Sequence, residues 1–228
     1  MKRCAQKRDA GFSLIELLVT MVILLASMAI ISSITFRAFS VRKRESRTTD
    51  ALTSAQAALS IISREVGNSG FGMYEDATGR IPHNGIVIAD SHSHRIRVRA
   101  NLDNVGGVPG APGASTLAIN APGEDVTYFF NLPTSSIVRY DPNGGGTGIP
   151  QASVVVNQIS NVTFDYYDYA GLSSQSTGPL LTPTVNTGRV KITVEVELEP
   201  VAGQPNNQRI TFSSEITLRN NSYMLQQY

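Results

Sequence analysis

One apolar run near the start of the chain constrains everything after it. From Phe12 to Phe36 there are 25 residues with a single charge, Glu16, and no proline or glycine. At about 1.5 Å per residue a helix of this length measures roughly 37 Å, enough to cross a hydrocarbon core of about 30 Å with some tilt. Apolar side chains lie on every side of such a helix, so it must be buried in lipid or among other helices. Glu16 is the exception. An ionised carboxylate there costs at least about 2.5 kcal/mol in a bilayer, and a partner is expected. No cation follows before Arg37. A closer positive charge would arise if the chain were cut just before Phe12, because the cut frees an α-amino group.

Gly11-Phe12-Ser13-Leu14-Ile15-Glu16-Leu17-Leu18-Val19 resembles the prepilin signature of type IV pilins and type II secretion pseudopilins. The resemblance implies cleavage by prepilin peptidase between Gly11 and Phe12, N-methylation of Phe12, and a role for Glu16 in filament assembly. Residues 1–11 would then be a leader peptide, 12–66 a long helix with residues 12–36 as its transmembrane and assembly segment, and 67–228 the head. Two other readings account for part of this pattern. A secretory signal peptide also places basic residues before an apolar stretch, and Ser27-Met28-Ala29 offers a small-x-small cleavage pattern. Against it stand the acid inside the apolar run and the continuation of that run to Phe36. A plain single-span anchor explains the length but neither Gly11-Phe12 nor Glu16.

At 228 residues the chain suits one principal domain plus this segment. It carries 19 Lys and Arg against 18 Asp and Glu. Removing the leader, with Lys2, Arg3, Lys7, Arg8 and Asp9, leaves 15 basic and 17 acidic residues, a side-chain charge of −2. That balance gives no reason to expect nucleic-acid binding by the head. The basic leader fits a cytoplasmic N-terminus by the positive-inside rule. Cys4 is the only cysteine and sits in the leader, so the trimmed chain could form no internal disulfide, and burial, subunit pairing or a bound ion would have to stabilise it. A lipidation role for Cys4 fits poorly, because the apolar region follows it.

Beyond Phe36 the chain becomes charged through Arg37, Arg42, Lys43, Arg44, Glu45 and Arg47, a solvated or membrane-surface stretch, or a contact for acidic groups of neighbouring subunits. Helical periodicity then resumes. Leu52, Ala55, Ala58, Leu59, Ile62 and Val66 recur at three- and four-residue spacing, with Asp50, Gln56, Ser60 and Arg64 off that face. This predicts one helix, apolar throughout its first half and amphipathic in its second, ended by Gly67 and the turn residues Asn68, Gly70 and Gly72.

From there β-rich runs alternate with Gly, Pro, Asn and Asp clusters. Strands are expected at Ile86–Ala89, Arg95–Ala100, Ser115–Ile119, Val126–Asn131, Ile137–Tyr140, Val162–Tyr167, Val190–Leu198 and Ile210–Leu218. The alternation from Val190 to Leu198, repeated from Ile210 to Leu218, predicts an antiparallel hairpin laid against the helix, with Pro200 to Asn207 as its turn. Loops are expected at Asn101 to Ala114, Asp141 to Pro150 and Gly171 to Gly188. The fold class is therefore α+β and pilin-like, a long N-terminal helix packed on an antiparallel β-rich head.

Three further segments resemble PilW-type minor pilins. They are Ile62-Ser63-Arg64-Glu65-Val66-Gly67-Asn68-Ser69-Gly70-Phe71-Gly72, the stretch Asn157 to Gly171 with its Tyr-Tyr-Asp-x-x-Gly, and Thr217-Leu218-Arg219-Asn220-Asn221. The resemblance implies a minor pilin of a type IV pilus, with a J-class type II secretion pseudopilin as the alternative. Its partners would be other pilin subunits through the N-terminal helix, prepilin peptidase and the inner membrane. The head would be periplasmic before assembly and lie on the pilus or cell surface after it.

Enzyme templates find no match: there is no phosphate-binding Gly-rich loop with Lys-Ser/Thr, no Gly-x-Ser-x-Gly elbow and no cysteine after the leader. The reading is therefore no catalytic residue, no metal and no cofactor. Asp90, His92 and His94 alternate in a way that would put them on one face, yet two imidazoles and one carboxylate without further ligands read as a solvated turn. Asp141-Pro142-Asn143-Gly144-Gly145-Gly146 lacks the closing acid of a calcium loop and reads as a plain turn. Tyr166, Tyr167 and Tyr169 read as a half-buried strand, or as a surface patch for a partner.

Overall fold

Residues 13–73, 84–103, 119–157, 159–169, 176–197 and 209–221 are described by the computed structural model. Helix α1 runs Leu14–Gly67, 54 residues without interruption. The chain divides into two compact units, Met1–Ser46 and Arg47–Tyr228, so the second half of α1 belongs with the head.

Eight strands follow: β1 (Arg95–Arg99), β2 (Asp125–Asn131), β3 (Ser136–Asp141), β4 (Gln151–Asn157), β5 (Asn161–Tyr169), β6 (Ser176–Leu180), β7 (Thr187–Glu197) and β8 (Arg209–Thr217). They form two antiparallel four-stranded sheets, ordered β1-β2-β3-β4 and β6-β5-β7-β8. The expected hairpin is present, with Val194 opposite Phe212 and Val190 opposite Ile216. Val190, Ile192, Val194 and Val196 are buried and Lys191, Thr193 and Glu195 only partly so, as period-two alternation requires of a strand with one wet face.

One core joins α1 to both sheets. Ala55, Ala58, Leu59, Ile62 and Val66 of the helix pack with Ile96, Tyr128 and Ile137 of the first sheet and Val162, Phe164, Ile192 and Ile216 of the second. Ala55 and Ala58 are fully buried in that core. Backbone bonds stitch the sheets together: Phe164 N donates to Ser93 O at 2.7 Å and Ile159 N to Ser135 O at 3.1 Å. The buried Tyr166 hydroxyl donates to the carbonyls of His92 and Arg95. Burial first, then the charge of Asp165, pushes that phenol above its ordinary value, so it stays a donor.

Several expectations change. Ile86–Ala89 is not a strand. Ile86 makes one bridge to Val98, and the backbone then coils into a 3-10 turn at Ile88–Asp90, closed by Ser91 Oγ donating to Val87 O at 2.8 Å. The segment read as a loop between Gly171 and Gly188 holds β6 and the start of β7. β6 is an edge strand carrying Gly178 and Pro179, and an edge tolerates proline because its outward N–H needs no partner in the sheet. β4 was not expected, because its three successive valines do not alternate; a bulge opposite Ile137 and Val138 absorbs the break in period. Ser115–Ala118, Leu198, the hairpin turn and most of the Asn101 to Ala114 loop lie outside the described residues.

Ile61 and Ile62 test which face of α1 is buried, being 40% and 0% exposed. Ile62→Ala should cost about 2–5 kcal/mol, whereas Ile61→Ala should stay within about 0.5–1 kcal/mol. Urea denaturation followed by circular dichroism will separate them, and equal losses would contradict the assigned face.

Candidate functional site: the N-terminal helix and its attachment in the head

Every described residue from Ser13 to Lys43 is exposed. Seventeen large apolar side chains between Leu14 and Val41 are among them, with Leu14 84%, Leu24 69% and Phe36 75% exposed. Burying each is worth about 1.5–3 kcal/mol, so together they exceed the roughly 5–15 kcal/mol that typically holds a whole domain folded. Water is not a viable surrounding for this surface. Most of the hydroxyls within it are satisfied internally. Thr20, Ser27, Ser33 and Thr35 each donate to a carbonyl three or four residues back, at 2.8–2.9 Å. These four bonds suit a lipid-facing segment, where polar groups find partners within their own helix.

Glu16 lies in the first turn of α1, exposed, and its N–H donates to Ser13 O at 3.0 Å. Between Glu16 and Arg37 there are twenty uncharged residues, and the two are roughly 31 Å apart along a helix rising about 1.5 Å per residue. That spacing matches the hydrocarbon core of a bilayer, about 30 Å. A helix spanning a membrane through residues 17–36 would thus hold the acid at one interface and the first cation at the other. Gly11 and Phe12 lie outside the described residues.

The last turns of α1 are fixed in the head by a polar cluster that sequence reasoning missed. Glu65 accepts a hydrogen bond from the Tyr128 hydroxyl at 2.6 Å and from Arg139 Nε at 3.1 Å. Burial first, then the Glu65 charge, pushes the Tyr128 phenol up. Burial would lower the Arg139 guanidinium, but the hydrogen bond and charge of Glu65 raise it overall. The signal was present in the sequence: Glu65 stands seven residues beyond Ala58, on the same stripe as the buried apolar residues. On the far edge, Asp125 receives Arg97 at 2.7 Å and Arg99 at 3.0 Å. Arg97 also pairs with Asp90. Burial would raise the Asp125 carboxyl, yet the Arg97 hydrogen bond and the charges of Arg99 and Arg97 hold it below its ordinary 3.8. Glu124, fully buried, accepts the N–H groups of Leu102, Asp103, Asn120 and Ala121 at 2.7–3.2 Å. A single carboxylate thereby ties together the two ends of a long connection.

The three scattered segments quoted above meet in one hydrogen-bond network at the end of α1. Ser69 Oγ donates to Asn84 O at 2.6 Å, and Asn220 Nδ2 donates to Ser69 O at 3.0 Å. Fully buried Asn84 in turn donates to Thr187 O at 2.9 Å and Thr184 O at 3.1 Å. Both of those threonine hydroxyls donate to Asp168, at 2.5 and 2.7 Å. Gly85 makes the crossing possible: with φ of 70°, any Cβ there would lie 2.1 Å from Gly70 N.

The other candidate residues are engaged in structural contacts. Asp90 pairs with Arg97, His94 Nδ1 lies 2.7 Å from Val162 O, and His92 Nδ1 accepts the His94 N–H. His83 lies outside the described residues. Among the described residues no three His, Cys, Asp or Glu side chains are placed to share a metal ion. Asp141 closes its turn by accepting Asn143 N at 2.9 Å and Gly123 N at 2.7 Å. Tyr167 is covered by Arg189, 4.4 Å from its ring centre. The tyrosines thus belong to the strand and its packing, as the half-buried reading expects.

The family model described as the prokaryotic N-terminal methylation motif matches residues 6–32. No curated protein and no solved structure matches the chain. The motif heads a helix long and apolar enough to cross a membrane. Together with the antiparallel β-rich head behind it, the motif supports a type IV pilin-like or pseudopilin-like protein, and the helix is consistent with a single membrane anchor.

Glu65→Ala leaves Arg139 and Tyr128 without their acceptor and should cost about 2–4 kcal/mol, with Glu65→Gln intermediate; urea midpoints measure both. Because Asp125 is held below 3.8, its contribution is complete above that value and disappears as pH falls through the folded-state value. Acid unfolding below about pH 4 should therefore be shallower in Asp125→Asn than in the wild type.

Proposed function

We propose that the protein is a minor pilin of a type IV pilus. It is held in the inner membrane with its head in the periplasm, cut by prepilin peptidase between Gly11 and Phe12, methylated at Phe12, and then incorporated into a pilus or used to prime one. The observation that carries this reading is the match to the methylation motif over residues 6–32, on a helix whose first half exposes seventeen large apolar side chains. No catalytic role is proposed for the head, and no cofactor.

The proposed chemistry of assembly follows from charge and burial. In the membrane, Glu16 sits near the headgroups, one turn from the amine that cleavage creates at Phe12. Entry into a filament moves both groups among other helices, where an unpaired charge costs several kcal/mol. Pairing the acid of one subunit with the amine of its neighbour removes that cost only at one axial offset, so it selects the register. Apolar contact between helices supplies the cohesion and leaves the β-rich heads outside. The three segments gathered at the end of α1 are those that resemble PilW-type proteins, which supports a minor rather than a major subunit.

Two experiments test this. The intact mass of protein from native membranes should correspond to a chain beginning at Phe12 with one added methyl, and a chain retaining Met1 would overturn the reading. For Glu16→Ala, losing about 2.5 kcal/mol at about 1.4 kcal/mol per tenfold predicts more than a tenfold drop in incorporation into sheared fibres while cleavage persists. Neighbouring genes of a secretion system rather than a pilus operon would reassign the protein to a J-class pseudopilus.

A further inference from the structure

The charged collar that ends the apolar segment has a geometry of its own. Arg37, Arg42 and Lys43 are all exposed on α1. At roughly 100° per residue, Arg42 lies about 140° and Lys43 about 240° around the axis from Arg37. The three cations therefore ring the helix and form no stripe. A neighbouring helix meets one side and would select cations on that side alone. A ring suits a partner that surrounds the helix, and its cations stand roughly 31 Å (Arg37) to 40 Å (Lys43) from Glu16 along the axis, a span that covers the headgroup layer of the far leaflet.

The positive-inside rule does not account for the collar. That rule places basic residues on the side of the leader, whereas these stand at the opposite end of the span. Their long stems can lie along the apolar surface while the charged ends reach the phosphate layer.

We propose that Arg37, Arg42 and Lys43 form a binding collar for anionic phospholipid headgroups, which fixes the depth of the helix before assembly. The proposal rests on the membrane-spanning reading of residues 17–36. When the protein leaves the bilayer these headgroup contacts must be given up, so the collar also retains the unassembled subunit.

The test uses the full chain reconstituted in phosphatidylcholine bilayers and in an equimolar mixture with phosphatidylglycerol. Spin-labelled lipids measure the preference for phosphatidylglycerol at the protein boundary. The basic leader contributes a preference of its own, so the comparison is between wild type and the R37Q/R42Q/K43Q variant. The variant should lose roughly tenfold or more of the wild-type preference, and high salt should weaken the wild type towards the same level. An unchanged preference overturns the proposal. So does an unchanged preference accompanied by failure to copurify with other pilin subunits, which would instead assign the collar to acidic protein partners. Alkaline carbonate extraction of the same membranes tests the span independently: release of the wild-type protein would remove the underlying reading, whereas retention leaves the lipid result to decide on the collar alone.

Discussion

An apolar helical surface that cannot remain in water is the constraint from which the other features follow. Every side chain between Ser13 and Lys43 is exposed, and an apolar surface of that extent calls for lipid or other helices around it. Most of its hydroxyls bond back to their own turns, and Glu16 is the one charge inside the apolar run from Phe12 to Phe36. In the proposed filament, apolar surface and one costly charge together would make a segment that associates readily but only in a chosen register.

The head solves a different problem. It must hold the second half of the same helix firmly while the first half answers to its surroundings. Apolar burial supplies most of that grip through Ala55, Ala58, Leu59, Ile62 and Val66. Polar contacts then fix its position. Glu65 ties it to β2 and β3 through Tyr128 and Arg139, and Ser63 Oγ meets Ser214 Oγ of β8 at 3.2 Å. One helix is therefore attached to both sheets. Ser69, Asn84, Asp168 and Asn220 secure the chain as it leaves the helix. Because the chain has a single cysteine, no internal disulfide can contribute, and these buried hydrogen bonds matter more than they would in a cross-linked domain.

Elements governed by a single period were legible in the sequence. The α1 face and the β7–β8 pair each repeat their pattern over nine residues or more, and their buried positions fall where that pattern puts them. β4 and β6 were not legible, since both are sheet edges whose residues need not alternate, and Pro179 argued for a turn. Ile86–Ala89 looked like a strand because its residue types favour one, but Ser91 bends it into a turn within a few residues. Glu65 and Glu124 escaped notice for another reason. Glu65 falls on the buried stripe of α1, but its partners could not be read there: only tertiary structure brings Tyr128 and Arg139, separated from Glu65 by more than sixty residues, to the same carboxylate, and nothing in its local sequence marks Glu124. The meeting of three distant segments at Asn84 is likewise a product of topology.

The claim that residues 14–41 are always enclosed by lipid or by sibling helices is open to a direct measurement. A photo-reactive side chain placed at Leu24 and activated in membranes should give lipid adducts, and in sheared fibres it should give adducts with the N-terminal helices of other subunits. Water-quenched product alone, or cross-links confined to the protein's own head, would contradict the account.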